Sequence, residues 1–284
     1  MAGNGAIEAG LHLVAVPIGA ARDVTLRALD LLAGADVLAA EDTRSLRRLL
    51  DIHGVALGNR PLLAYHDHNG PAMRPRLLAL LREGRSVAYA SEAGTPLLAD
   101  PGFQLAAEAR AAGVPVRAAP GASALLAALC VAGLPTDRFF FAGFLPPRAT
   151  ARAQALRELA GVPGTLVFYE SPHRLPAMLA AAAEALGPRE AAVCRELTKR
   201  FEEVRRGPLP DLVAHYAEAP ARGEIVVLID RAATVEIGEA DLRLALEAAL
   251  RDNSLKSAVL LVSRETGIAR KVVYDAALAM KGDP

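Results

Sequence analysis

Three short loops rich in glycine and proline are the first candidates for a ligand site. They are Pro17-Ile18-Gly19, Gly94-Thr95-Pro96 and Pro120-Gly121-Ala122-Ser123, and each follows a run of residues typical of a β-strand. Glycine lets a backbone approach a ligand closely, and proline keeps a loop stiff. None of the loops is GxGxxG, and the chain has no Gly-Lys-Ser/Thr, which disfavours a dinucleotide or nucleoside triphosphate cradle. One such loop is ordinary turn chemistry, whereas three favour a ligand held by loop backbone.

Four clusters of polar side chains follow other predicted strands, at 41–44, 65–69, 169–174 and 195–200. Three arginines, Arg44, Arg47 and Arg48, lie close together along one predicted helix. They are either a solvated helix face or a phosphate-binding patch, since the arginine fork matches phosphate oxygens. Net charge is zero, with 32 basic and 32 acidic residues, but local basic groups at the sheet edge still make RNA a plausible partner.

Histidine and cysteine add little to this site. His66 and His68 are too few for a metal, because no third or fourth ligand is evident. No nucleophile motif is present; Cys130 is expected in a helix core and Cys194 buried at a strand end. Two cysteines with no disulfide framework favour a reducing compartment. Without an evident targeting or membrane-spanning segment, we expect a cytoplasmic protein with no membrane partner.

Alternating strands and helices must position these loops. Strands are predicted at 11–16, 36–40, 62–65, 86–90 and 114–118, then at 139–143, 165–169, 191–195, 201–206 and 224–230. Helices are predicted at 23–33 with Asp23 as N-cap, and at 43–53, 72–83, 101–112, 124–132, 151–160, 176–186 and 209–217. The pattern predicts an α/β fold with a mostly parallel first sheet and some antiparallel character in the second.

The length of 284 residues favours about two domains. We expect an N-terminal α/β domain at 1–119, a C-terminal α/β domain at 120–232 and a helical tail at 237–284. The tail has predicted helices at 239–251, 255–265 and 269–280, with a turn at 266–268. It is either a helix-turn-helix or a helical cap on the α/β part, and its near-neutral charge gives a DNA-reading role weak support.

Seven motifs in this order resemble the tetrapyrrole methylase superfamily. They are VAVPIGAARDVTLRAL, AAEDTRSLRRLL, YHDHN, SEAGTPLLADPG, PGASA, FYESPHRL and RELTKRFEE. Within it, they are most similar to the branch that methylates the ribose 2′-hydroxyl of a cytidine in small-subunit (16S) ribosomal RNA. The resemblance covers nearly the whole chain, and EDTR, YESPHR and RELTK are long and specific. It implies a homodimer, with small-subunit RNA or the 30S particle as partner and no metal.

The resemblance also implies S-adenosyl-L-methionine in a cleft between two α/β domains. The residues implied to bind it are Ile18, Gly19, Glu92, Gly94, Thr95, Pro96, Ser123, Ala124, Tyr169, Leu197, Gly223 and Glu224. From their charge and their place at the sheet edge, the residues expected to hold RNA are Arg44, Arg47, Arg48, His173, Arg174, Arg195 and Arg200. Asp100 and Pro101 are expected to start the next helix as N-cap and first residue.

The expected reaction is in-line transfer of a methyl group from a sulfonium to a ribose hydroxyl, in which alignment and a base both contribute. Four candidates for that base are Glu170, Glu196, Lys199 and Asp42, and the residues do not choose among them. Lys199 would need a lowered pKa, which we expect from Arg195 and Arg200.

Two departures from the family pattern bear on the cofactor. The family usually has Asp where this chain has Glu92, and Asn-Leu where it has Ala20-Ala21. Altered cofactor affinity is expected from them, but not lost activity. The alternatives are a precorrin methylase or diphthine synthase on the same scaffold, and a non-catalytic RNA-binding protein that kept the fold.

Overall fold

The first β-sheet is entirely parallel. The computed structural model describes residues 7–98, 102–232, 239–266, 268 and 270–282. The strands are β1 (Gly10–Val14), β2 (Val37–Ala40), β3 (Leu62–Ala64), β4 (Ser86–Ala90) and β5 (Val116–Ala119), in the order β3-β2-β4-β1-β5. The connecting helices are α1 (Leu26–Gly34), α2 (Thr43–Ile52), α3 (Gly70–Arg82) and α4 (Gly102–Ala111). Because all strands are parallel, their carboxyl ends meet at one edge.

The second sheet is mixed and follows α5 (Ala124–Val131). Its strands are β6 (Phe139–Phe144), β7 (Thr165–Glu170), β8 (Glu190–Arg195), β9 (Glu203–Pro208) and β10 (Ile225–Ile229), in the order β6-β7-β10-β8-β9. Helices α6 (Ala149–Leu159), α7 (Leu175–Leu186) and α8 (Leu209–Glu218) accompany them. Strand β10 is antiparallel to both β7 and β8. Strands β7 and β8 therefore end at the same edge, where β10 begins.

The central strands of each sheet are buried on both faces, as expected where helices cover a sheet on both sides. Along β4, Val87 and Tyr89 pack into one apolar cluster, whereas Ala88 and Ala90 pack into another. Helix α5 packs its Leu125–Leu129 side against the second sheet. Both sheets lie in one compact unit, Met1–Ala232, and Ala233–Pro284 form a second.

The second unit contains helices α9 (Glu239–Asp252), α10 (Leu255–Thr266) and α11 (Arg270–Gly282). They pack around a core of their own that includes Leu246, Val262 and Val273. The three predicted tail helices are thus present. The predicted turn between the last two includes Gly267, which lies outside the described residues.

Three local predictions were wrong. Helix α1 is capped by Thr25, whose hydroxyl accepts a hydrogen bond from the Ala28 amide at 3.1 Å, while Asp23 ends a short 3-10 turn. The strand predicted at 201–206 begins at Glu203, because residues 198–202 form a turn. Cys130 is exposed, since α5 buries the neighbouring Leu129 side of the helix. Cys194 is buried as predicted, and the predicted N-cap Asp100 and Pro101 lie outside the described residues.

Candidate functional site

The loops that follow β1 and β4 are joined by a pair of backbone hydrogen bonds. The Val16 amide donates to the Gly94 carbonyl at 2.9 Å, and the Gly94 amide donates to the Val16 carbonyl at 3.1 Å. Gly94 has φ +72°, and a Cβ there would lie 3.2 Å from Cγ2 of Ile18. Glycine is needed here for both its conformation and its size. Two of the three predicted loops are therefore one assembled wall.

The third predicted loop joins the same wall. The Thr95 hydroxyl donates to the Ala122 carbonyl at 2.9 Å. This places the loop after β4 beside the loop after β5, as expected for loops at one edge of a parallel sheet. Ser123 directly precedes α5 and is buried.

A contact between the sheets completes the arrangement. The Ala20 amide donates to the Thr198 hydroxyl at 3.1 Å. Gly19 permits this approach, because a Cβ there would lie 2.5 Å from Cγ of Lys199 and 2.6 Å from Oγ1 of Thr198. Thr198 has φ +64°, which is a strained conformation for a β-branched residue. Such strain persists where surrounding contacts hold it, often at functional sites.

These loops bound a cavity, the first cleft, with an empty volume of about 770 Å³ including its open mouth. The predicted cofactor residues that line it are Ile18, Gly94, Thr95, Ala124, Tyr169, Leu197 and Glu224. Pro96, Ser123 and Gly223 belong to the same loops but are not among its lining residues.

The sequence analysis missed several lining residues, among them Leu98, Phe144, Cys194 and Val226. They are ordinary apolar residues, so only the fold reveals their place. Burial raises the pKa of the Cys194 thiol to about 12, with a smaller contribution from Glu202. Cys194 is therefore an inert part of the wall, as is consistent with the absence of a nucleophile motif.

A cluster of charged side chains stands at the rim of the first cleft. Oε1 of Glu196 accepts hydrogen bonds from Nζ of Lys199 and from the Glu224 amide, both at 2.9 Å, and Lys199 also pairs with Glu224 at 3.2 Å. Glu196 has φ +51°. Gly223 lies directly against it, since a Cβ at 223 would be 2.4 Å from Cδ of Glu196.

The expected lowering of the Lys199 pKa is wrong. Burial lowers it, but hydrogen bonds and charge from Glu196 and Glu224 outweigh burial, and the pKa of Lys199 is raised. The Glu224 amide, followed by Lys199, holds the pKa of Glu196 below its ordinary value. Arg195 instead donates two hydrogen bonds to Glu203, at 2.7 and 3.1 Å. Glu196 and Lys199 are thus a charged, mutually neutralising pair.

Glu170, at the end of β7, lines the first cleft and is 3 % exposed. Its Oε1 accepts from the Ser171 amide at 2.9 Å and pairs with Nε of Arg174 at 3.2 Å. Its Oε2 is buried and has no hydrogen-bond partner among the residues that the structure describes. Such an atom costs free energy unless a ligand satisfies it.

Tyr169 lies beside Glu170 and packs edge-to-face against Phe141 and Phe144. Burial raises the pKa of its phenol, and the nearby Leu125 amide and Ser123 hydroxyl only partly offset that effect. The phenol is therefore neutral at physiological pH and can donate or accept a hydrogen bond.

Asp42 has a structural task. Its carboxylate caps α2 by accepting from the amides of Arg44 (2.7 Å) and Ser45 (3.4 Å), and it pairs with the Arg44 guanidinium at 3.2 Å. The Arg44 side chain, followed by its amide, holds the pKa of Asp42 below the ordinary value. A carboxylate stabilised in this way is a weaker base.

The predicted RNA-binding residues divide into two groups. Arg44, Arg47 and Arg48 are exposed along α2, His173 is exposed, and Arg200 is exposed over the Phe201 ring at 5.4 Å. Arg174 is instead committed inward, because it donates to the Leu145 carbonyl at 2.5 Å as well as pairing with Glu170. Arg195 is held by Glu203, and Arg44 pairs with Asp42 although it is exposed. Among the described residues, Arg47, Arg48 and Arg200 form no ion pair and so present free cationic ends to a partner.

Glu92 and Gly19 line a different cavity, the second cleft, which lies between α2 and the loops after β1 and β4. Its empty volume is about 870 Å³ including its mouth. The Glu92 amide donates to Oε2 of Glu41 at 3.0 Å, which anchors the loop at this point. The structure thus separates Glu92 from the residues lining the first cleft.

Within the described ranges, no group of three or more His, Cys, Asp or Glu side chains is placed to hold a metal ion. The rings of His66 and His68 contact each other edge-to-face at 6.0 Å. No described helix combines the length and the apolar character that crossing a membrane requires.

Comparison with protein families and curated proteins gives consistent matches. Residues 10–213 match the family described as Tetrapyrrole (Corrin/Porphyrin) Methylases, and residues 236–281 match one described as RsmI C-terminal HTH domain. The chain is 46 % identical to the Ribosomal RNA small subunit methyltransferase I of Mesorhizobium japonicum, covering 97 % of this chain and 93 % of the relative. Identity to the Escherichia coli O157:H7 protein of that name is 40 %, over 96 % of each chain.

Solved structures share the fold at lower identity. Uroporphyrin-III C-methyl transferase from Thermus thermophilus, complexed with S-adenosyl homocysteine, matches with a TM-score of 0.55 and 24 % identity, over 80 % of this chain and 99 % of that one. Diphthine synthase matches with a TM-score of 0.61 and 16 % identity, over 78 % and 89 %. At such identity they support the architecture alone.

Proposed function

Because the chain belongs to the tetrapyrrole methylase family, among its ribosomal RNA small subunit methyltransferases I, we propose that it methylates a cytidine ribose 2′-hydroxyl in small-subunit (16S) RNA. The methyl donor is S-adenosyl-L-methionine. The observation that supports this best is the first cleft, which forms where the loop ends of both sheets meet. The proposal places the protein in the cytoplasm, where small-subunit particles are available.

The described residues of the first cleft fit this donor. Apolar groups, including Ile18 and Val226, form most of the wall, and a few polar groups converge on it. The unpartnered Oε2 of Glu170 is buried there, and Gly94 keeps side-chain atoms out of the space beside Ile18. A mostly apolar pocket with a few placed polar groups is the usual form of a cofactor site.

When bound, the cofactor supplies an activated methyl group on a sulfonium. The protein supplies alignment: three loops of the first sheet are linked by hydrogen bonds, and the Ala20–Thr198 contact ties them to the second sheet. Rigid loops hold donor and acceptor in line, which removes much of the entropic barrier of a bimolecular transfer. The Glu196–Lys199–Glu224 cluster keeps Leu197 and Glu224 in place at the cleft.

Among the four base candidates, Glu170 is favoured. Lys199 stays protonated, while Glu196 and Asp42 are engaged by strong hydrogen bonds that stabilise their charged forms. Glu170 lines the cleft with one carboxylate oxygen engaged by Ser171 and Arg174 and the other free. The free oxygen can accept the 2′-hydroxyl proton as the methyl group transfers.

Arg44 and Arg47 on α2, together with His173 and Arg200, are proposed to hold RNA phosphates. We further propose a homodimer. The edge strand β6 exposes Phe139, Phe140 and Phe144 by 44 to 54 %. Exposed apolar edges are typical of surfaces that another chain covers. Sedimentation equilibrium would measure the mass directly.

The function is tested with tritiated S-adenosylmethionine and small-subunit particles that lack the modification. We expect label on the ribose of one cytidine. Glu170→Gln should lower kcat by about 10²- to 10⁴-fold, the usual contribution of a general base. Cofactor affinity should change little, because the substitution preserves shape.

Glu184→Gln, the same change at an exposed position on α7, is the matched control. Cofactor binding without label on ribosomal RNA would contradict the proposed function. An unchanged rate in Glu170→Gln would contradict the choice of base while leaving the function intact.

A further inference from the structure

We propose that the second cleft receives the base of the acceptor nucleotide, and that Glu92 and Arg48 read the polar edge of that base. The inference rests on the proposed function and assigns the substrate contacts that determine its specificity. It also gives Glu92 a role other than cofactor binding.

Apolar side chains form part of the lining of the second cleft. Helix α2 contributes apolar Leu46, Leu49 and Ile52 to its lining, and Pro17 lines it from the loop after β1. Apolar walls can cover the faces of a nucleobase, as they do where enzymes hold a flipped base.

The charged groups in the second cleft have opposite hydrogen-bonding capacity. Arg48 can only donate and Glu92 can only accept. Both line the cleft, and neither forms an ion pair with any residue that the structure describes. The neighbouring carboxylate of Glu41 holds the Glu92 backbone, so the Glu92 side chain extends from a fixed point.

This pair matches the edge of cytosine. The cytosine N4 amino group donates a hydrogen bond, which the Glu92 carboxylate can accept. The cytosine N3 and O2 atoms accept hydrogen bonds, which the Arg48 guanidinium can donate. A carboxylate that accepts from N4 is an established mode of cytosine recognition. Uracil carries a carbonyl oxygen at C4 in place of the amino group. That oxygen and the Glu92 carboxylate are both acceptors, so they would repel each other.

The position of the second cleft relative to the first supports the same assignment. Along the segment after β1, Pro17 and Gly19 line the second cleft and Ile18 lines the first. Along the segment after β4, Glu92 lines the second and Gly94 the first. A base in the second cleft therefore leaves its ribose beside segments that also bound the donor site.

The test uses small-subunit particles reconstituted with either cytidine or uridine at the methylated position. Wild-type protein should prefer cytidine. Glu92→Gln should reduce the ratio of kcat/KM for cytidine over uridine by about 10- to 100-fold, the range for loss of a good base contact. Its affinity for S-adenosylmethionine, measured by calorimetry, should stay within about twofold. Glu92→Asp, which keeps the carboxylate, should restore most of the preference.

Glu83→Gln makes the same chemical change at an exposed site at the end of α3 and should match wild type. An unchanged cytidine preference in Glu92→Gln would overturn the inference. So would a loss of cofactor affinity as large as the loss of rate, because Glu92 would then act on the donor. If wild-type protein labels neither particle, the proposed function fails, and this inference with it.

Discussion

Replacing Gly223 by alanine tests whether the charged cluster at the rim supports the cofactor cleft. Gly223 has φ +83°, and an added Cβ would lie 2.4 to 2.5 Å from three side-chain atoms of Glu196. All three atoms belong to the Glu196 side chain, which must shift to relieve the overlap. The Glu196 carboxylate must move away from the Glu224 amide and from Lys199.

The expected cost has two parts. Placing alanine in a left-handed conformation costs about 1 kcal/mol. Loss of the Glu196 hydrogen bonds, in a partly exposed setting, adds about 1–2 kcal/mol. We therefore expect the free energy of unfolding to fall by about 2–3 kcal/mol. Since Leu197 and Glu224 line the cleft beside the cluster, affinity for S-adenosylmethionine should fall about 10-fold.

Gly54→Ala is the matched control. Gly54 also has a positive φ, +66°, but no atom of the described residues lies within 4 Å of the position of an added Cβ. The Gly54→Ala variant should lose only about 1 kcal/mol of its free energy of unfolding, from the left-handed backbone alone, and should keep its affinity for S-adenosylmethionine. Urea unfolding and calorimetry measure both quantities. Equal stability and equal affinity in the two variants would refute the proposed role of the cluster.

Two further substitutions test the first sheet. Asp36 accepts hydrogen bonds from the amide (2.8 Å) and hydroxyl (2.7 Å) of Ser86, which hold its pKa below its ordinary value. A carboxyl whose pKa is lowered by folding stabilises the folded protein at pH values above its ordinary pKa, and this stability is lost as the pH falls below that value. Asp36→Asn should therefore flatten the decline in stability below about pH 4. An unaltered pH profile would contradict this. Arg60 donates to the carbonyls of Leu32 (2.6 Å) and Ala35 (3.2 Å) at the end of α1, so Arg60→Met should cost about 2–3 kcal/mol and Arg60→Lys less, measured by urea unfolding. Equal stability of the two Arg60 variants would show that the fork geometry is unimportant.

The arrangement of the glycine and proline loops was predictable because strand order does not alter which edge they share. In a parallel sheet, all loops after strands lie at one edge. Strands β4, β1 and β5 are direct neighbours, so Gly94, Ile18 and Ser123 come together as the alternating pattern indicated. The antiparallel character of the second sheet was likewise confirmed.

The environment of Lys199 was not predictable from its neighbours in sequence. The motif places Arg195 and Arg200 near it, which suggested a lowered pKa. The fold instead brings Glu224 from the start of β10, and a left-handed backbone turns Glu196 toward the same ammonium. No residue preference signals a left-handed glutamate, so only tertiary structure reveals it. The position of Glu92 on the second cleft is likewise set by tertiary structure and could not be predicted from the sequence.

The topology of the first sheet also bears on how the chain is made. Among the strands that the structure describes, β1 pairs with β4 and β5 alone, and the residue opposite Gly10 is Ser86, 76 positions later. At about 5–20 residues per second, an emerging β1 waits roughly 4–15 s before either neighbour exists. During that interval β2 and β3 can pair with each other, but both edges of β1 remain open. The strand that anchors the loop at Ile18 is therefore the first strand of its sheet to be synthesised, whereas its second neighbour, β5, is the last.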